Sequence, residues 1–227
     1  MRRKLTIIFL LFLNLTVLGQ HEIGLKLNIG LSRISKESSI SDSENAILNV
    51  KSALSGQGGI FYNQHLGNNF VFGSELLFIQ IEGRDRLEFD IKDVSLENTG
   101  HTTSDLYDHI SYLGLPIYCG LTIKNMTINA GFQLSYTLAS SGREIYNSNI
   151  NGANYSGEKG INNLPIDKFD FGPRIGLLYN LNDKFAIEGV CYYGINNILR
   201  NQDDENPFSY KIQHATIGLR YKIFKNR

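Results

Sequence analysis

A two-residue rhythm runs through most of this chain and limits what it can fold into. Met126, Ile128, Ala130, Phe132, Leu134, Tyr136 and Leu138 alternate with Thr127, Asn129, Gly131, Gln133, Ser135 and Thr137. Ile23, Leu25, Leu27, Ile29 and Leu31 do the same near the start, and Ala215, Ile217, Leu219, Tyr221 and Ile223 near the end. Successive side chains on an extended strand point to opposite faces, so each stretch has one apolar face and one small or polar face. Eight such stretches can be read, at about 22–33, 55–64, 69–82, 107–123, 126–140, 169–180, 184–195 and 209–224. Three are less regular. The second is glycine-rich, the third is apolar on both parities from Leu76 to Ile81, and the seventh drifts near Cys191. No helical periodicity of useful length competes.

The connections alternate as strictly as the side chains. Those at Leu66-Gly67-Asn68, Lys124-Asn125 and Leu181-Asn182-Asp183 are short and have turn chemistry. Those at 34–54, 83–106, 141–168 and 196–208 are long and polar. Long and short in alternation put every long loop at one end of a sheet and both termini at the other. A transmembrane barrel sorts its connections in this way; a soluble two-sheet sandwich has no reason to. Volume decides which face points inward. An eight-stranded barrel is just wide enough to be filled by side chains, so its many large apolar residues must face out and its Gly, Ser, Thr and Asn face in. The expected fold is all-β: a single eight-stranded antiparallel up-and-down transmembrane β-barrel.

The first residues stand apart. Arg2, Arg3 and Lys4 precede an apolar run from Leu5 to Leu18, too short to span a bilayer as a helix, and Gly19 offers a small residue at a cut. Residues 1–19 therefore read as a signal peptide and 20–227 as the barrel domain. Removing them takes three of the 22 Lys and Arg residues, leaving 19 against 22 Asp and Glu, a net charge of −3. A chain so far from basic is not expected to bind nucleic acid. With 42% hydrophobic and 19% charged residues it is not disordered, and with 2 Cys it is not a disulfide scaffold.

Several stretches resemble a known family. Leu18-Gly19-Gln20, the opening Ile23-Gly24-Leu25-Lys26-Leu27-Asn28, the central Tyr112-Leu113-Gly114-Leu115-Pro116-Ile117-Tyr118 and Phe171-Gly172-Pro173-Arg174-Ile175-Gly176 are similar to the outer-membrane β-barrel family of Bacteroidetes that includes PorT-like proteins. The resemblance covers essentially all of 21–224. It implies the bacterial outer membrane as the location and, for most members, no defined activity.

Candidate functional residues follow from parity. Lys26, Glu75, Arg174, Glu188 and Arg220 are the charges expected to face the lumen, where burial is tolerable only if they pair; a structural ion-pair network is expected, with a conducting or substrate path lined by the same residues as the alternative. Pro116, within a strand, removes a ladder hydrogen bond and is expected to mark a bulge on the luminal parity of Tyr112, Gly114 and Tyr118. His101, Ser104, Asp105, Asp108 and His109 are the one thin candidate for acid–base chemistry, but loops are rich in these residue types. His101 and His109 lack a third metal ligand at fixed spacing, and Asp203-Asp204-Glu205 read as a solvated acidic loop. Cys119 and Cys191 fall on the apolar parity of non-neighbouring strands, so no disulfide is expected. Tyr136, Tyr179, Tyr193, Tyr210 and Tyr221 are candidate interface anchors.

On this reading the protein is not an enzyme and needs no cofactor or metal. Its expected partners are outer-membrane lipids and, through four long loops, envelope or extracellular proteins, with the chain a monomer. A structural or surface-interaction role leads. A narrow pore or PorT-like accessory in transport or protein secretion is the alternative, and an outer-membrane enzyme trails both.

Overall fold

A computed structural model describes residues 20–37, 46–67, 69–93, 98–199 and 209–225. The expected signal peptide and the Asp203–Glu205 loop lie outside the described residues. The fold is built of strands: β1 (Gln20–Glu37), β2 (Ala46–Leu66), β3 (Phe70–Asp93), β4 (Asn98–Ile123), β5 (Met126–Ile150), β6 (Ala153–Asn162), β7 (Phe169–Asn180), β8 (Phe185–Tyr193) and β9 (Ser209–Lys225). All pairings are antiparallel. They run β1-β2-β3-β4-β5-β7-β8-β9 and return to β1, because β1 pairs with both β2 and β9. One sheet thus meets its own first strand, and the sandwich is excluded.

Eight strands form this ring, as expected, but the described residues hold a ninth, β6, which the expected count lacked. β5 changes partner along its length. Its first half, Met126 to Tyr136, pairs with β7, and its second half, Ser141 to Ile150, pairs with β6. The β5–β6 hairpin turns on Asn151-Gly152, both at positive φ (51° and 80°), the geometry of a type I′ turn. The expected loops at 34–54, 83–106 and 141–168 are therefore mostly strand. β2 to β6 continue past the ring as a five-stranded outer sheet, whereas β7 and β8 stop after 12 and 9 residues.

The two faces of the ring divide as the alternation requires. Leu27 and Ile29 are each 68% exposed and Phe132 65%, while Lys26, Asn28, Gln133 and Ser135 between them are buried. So wide an apolar surface would drive a water-soluble monomer to aggregate; around a barrel it is the lipid-facing band. Its rims carry aromatic pairs. Tyr136 meets Phe169 and Tyr221 meets Phe185, each with ring centroids 5.2 Å apart, and Tyr179 and Tyr193 are exposed on the same wall. Tyr210 departs from expectation: it is half-buried and packs against the interior.

Cys119 and Cys191 are free thiols exposed on the outer wall, on β4 and β8. In intact membranes both should react with a lipid-soluble maleimide and resist a charged, impermeant one. Equal labelling by the two reagents would place this wall in water.

Pro116 interrupts the ladder without shifting it. β3 and β4 keep one register from Ser74–Ile117 to Leu77–Gly114, with no pairing for Leu115 and Pro116 between. The expected bulge lies elsewhere on this strand, between Ser111 and Tyr112, where β5 carries Leu138 as an extra residue.

Candidate functional site

The interior has two layers. In the inner one the structure brings together all five charges selected by parity. The Glu75 carboxylate accepts from Lys26 Nζ at 2.9 Å, from Arg174 Nη2 at 3.1 Å and from Arg220 Nη2. The Glu188 carboxylate accepts from Lys26 Nζ, from Arg220 Nε and from Asn28 Nδ2 at 2.9 Å. Tyr118 ties the cluster to the wall: its hydroxyl donates to Asn63 Oδ1 at 2.7 Å and accepts from Arg220 Nη1 at 3.0 Å. The Arg174 guanidinium lies 5.0 Å from the Tyr118 ring, and that of Arg220 lies 4.8 Å from Phe61. Both rings need glycine beside them. A Cβ on Gly73 would come within 2.3 Å of the Tyr118 ring, and one on Gly24 within 2.6 Å of Phe61.

This cluster draws on β1, β3, β4, β7, β8 and β9, so it braces the ring across its width. Each charge is fully desolvated, which costs several kcal/mol per ion unless its partners supply good geometry and further hydrogen bonds. The network supplies both for the two carboxylates. Toward the end with the short turns, Lys222 donates to Glu22 at 3.1 Å, a buried pair outside the five expected luminal charges.

The outer layer was not anticipated. Ile34, Leu77, Ile79, Ile81, Ile110, Tyr112, Ile166, Tyr192, Ile198 and Ile212 form a buried apolar cluster that Leu164 and Tyr210 join. Leu77, Ile79 and Ile81 account for the double parity of the third stretch, because one side faces lipid and the other faces this cluster. Ile166 and Ile198 come from connections. After β6 the chain turns at Asn163 (φ 62°) and folds inward; Asp167 N donates to Ile198 O at 2.6 Å and Ile198 N to Tyr210 O at 3.0 Å. An apolar plug therefore lies on the outer side of the interior, with the charge cluster beneath it. Below both, a polar vestibule of about 470 Å³ opens at the short-turn end, lined by residues that include Asn63, His65, Asn129 and Lys222.

The acid–base candidates do not converge. His101 pairs with Asp90 at 2.8 Å, Asp105 takes a two-pronged contact from Arg86 at 2.8 and 2.9 Å, and Ser104 donates to Glu144 at 2.7 Å. His109 lies 3.7 Å from Glu82. Each makes a cross-strand contact of the outer sheet. Its hydrogen bonds with Arg86 hold the Asp105 carboxyl below the usual carboxylate range.

Known proteins place this architecture. The outer membrane protein beta-barrel domain family matches residues 18–200, and the chain belongs to that family of bacterial outer-membrane proteins. Solved structures similar to it include Ail, the attachment invasion locus protein of Yersinia pestis, at 13% identity over 90% of this chain and 99% of that one, with a TM-score of 0.37. OprG from Pseudomonas aeruginosa is similar at 13% identity over 90% and 96%, with a TM-score of 0.42. Neisserial surface protein A follows at 11% over 88% and 97%, with a TM-score of 0.35. No curated protein sequence matches the chain.

Proposed function

We propose that this protein is a surface-interaction barrel: a sealed transmembrane ring that holds a stiff β-sheet outside the cell. The observation that carries the reading is the continuation of β2 to β6 beyond the lipid-facing band as paired strands. Cross-strand contacts run along the sheet, among them Arg86–Asp105, Thr102–Ser148 and Arg143–Glu158. Such exposed pairs are each worth roughly 1 kcal/mol or less, so their effect is to hold a shape. Among the described residues β6 is paired on one side only, leaving backbone donors and acceptors along Ala153–Asn162 facing outward. An edge of this kind can accept an extended segment from another protein, and Glu158 and Lys159 guard it against indiscriminate pairing.

The test is to trim the sheet and leave the ring. Replacing residues 141–162 by a short glycine-containing turn removes the upper half of β5, its pairing with β4 from Gly100–Ile150 to His109–Ser141, and all of β6, but keeps the lower β4–β5 pairing and every β5–β7 pairing of the ring. The trimmed protein should insert and retain heat-modifiable migration on gels, yet fail to restore the phenotype of a strain lacking the gene. Full restoration would contradict the proposal.

A PorT-like role in transport or secretion is the second reading. It rests on the motif resemblance at Tyr112–Tyr118 and Phe171–Gly176, and the polar vestibule at the short-turn end favours it, since that end faces the periplasm in such barrels. In that case the trimmed protein would remain active, and changes around the vestibule would not be tolerated.

A further inference from the structure

The luminal cluster does not balance its own charge. Lys26, Arg174 and Arg220 bring three positive charges and Glu75 and Glu188 two negative ones; 3 − 2 leaves one positive charge in excess, on side chains that are all 1% exposed or less. The excess falls on Arg174. Lys26 contacts both carboxylates, and Arg220 uses Nε, Nη1 and Nη2 on Glu188, Tyr118 and Glu75. Arg174 bonds Glu75 and lies 3.9 Å from Glu188 through Nη2 alone, and its Nε and Nη1 are buried with no hydrogen-bond partner.

A second orphan faces the same interior. Arg174 pairs in register with Tyr192, and Tyr192 with His214, so these three inward side chains lie in one row across β7, β8 and β9. The His214 ring stacks on Tyr192 at 5.0 Å, and both its nitrogens are buried without a partner. A neutral imidazole always carries one N–H donor. No carboxylate bonds Arg174 Nε or Nη1 or either nitrogen of His214. Asp170, the next inward acid on β7, is four residues from Arg174, about 13 Å along the strand, and its Oδ2 accepts the Tyr192 hydroxyl at 2.9 Å. Glu22 is engaged by Lys222 at the vestibule.

We infer that the barrel interior binds one small monovalent anion, of the chloride class, between the Nε–Nη1 edge of Arg174 and the imidazole of His214. Unpaired buried charge is costly, and charge-assisted N–H donors that converge on an anion remove that cost. The ion must be small because the lumen of an eight-stranded barrel is filled by its own side chains. The bound anion brings the cluster to neutrality and completes the seal beneath the plug.

The experiment uses the whole mature chain, refolded into detergent micelles at one ionic strength in sodium chloride, sodium bromide or sodium gluconate. Chloride and bromide should raise the unfolding temperature saturably over gluconate, and Arg174→Gln should abolish that dependence. His214→Phe, which keeps a ring against Tyr192, should shift the half-saturating halide concentration upward, so the inference stays testable if Arg174→Gln fails to fold. Crystals grown in bromide should show an anomalous peak within hydrogen-bonding distance of Arg174. Identical unfolding in all three salts, halide dependence unchanged in both variants, or water beside Arg174 with bromide only as an adventitious ion at the surface would each overturn it.

Discussion

Glu75→Ala is expected to destabilise the folded barrel by about 3–5 kcal/mol, the usual consequence of removing one partner from a buried ion pair. Glu75 accepts from Lys26, Arg174 and Arg220, so its loss leaves three desolvated cations facing Glu188 alone. Glu22 does not compensate, because it is already engaged by Lys222. Urea titration in micelles, read by the gel shift between folded and unfolded forms, checks this. Glu75→Gln should recover part of the loss, since the amide oxygen can still accept from one of the three donors. Unchanged midpoints in both variants would mean that water reaches the cluster and screens it.

Phe132→Arg should act on the opposite face and by a different cost. Phe132 is 65% exposed at the middle of the β5 segment that pairs with β7, between Ala130 and Leu134 on the lipid side. An arginine near the bilayer midplane of a barrel costs about 2–4 kcal/mol, falling toward the interfaces. Refolding into lipid vesicles should therefore suffer, whereas Gln133→Ala, one residue away on the luminal side, should leave insertion intact. If both variants inserted equally well, the inside–outside division of β5 would be wrong.

How much of this was legible in the sequence differs by region, and the cause is the solvent. Within the membrane band one face meets lipid and the other a polar lumen, so alternation marks strand and orientation together; Lys26, Glu75, Arg174, Glu188 and Arg220 could be selected by parity alone. Beyond the band no face of β3, β4 and β5 meets lipid, the apolar half of the pattern disappears, and 83–93, 98–106 and 141–150 read as loop although they are strand. One local signal was present and passed over: Asn151-Gly152, a strong hairpin dipeptide between two polar strands. The plug was harder. Leu77, Ile79 and Ile81 carried a double parity whose meaning depends on Ile166 and Ile198, and neither belongs to a strand. Arg174 was found by parity, but its unpartnered edge was not, because which nitrogen meets which carboxylate is set by three-dimensional packing.

The apolar plug above and the charge cluster below are expected to shut the lumen. Reconstitution of the purified full-length protein in planar bilayers tests it most directly. The structure predicts no steady conductance of pore size at any holding potential, because ions would have to cross a layer of buried isoleucines and a cluster whose cations and carboxylates are already bound to one another. Steady channels on the nanosiemens scale from the wild-type protein would contradict it.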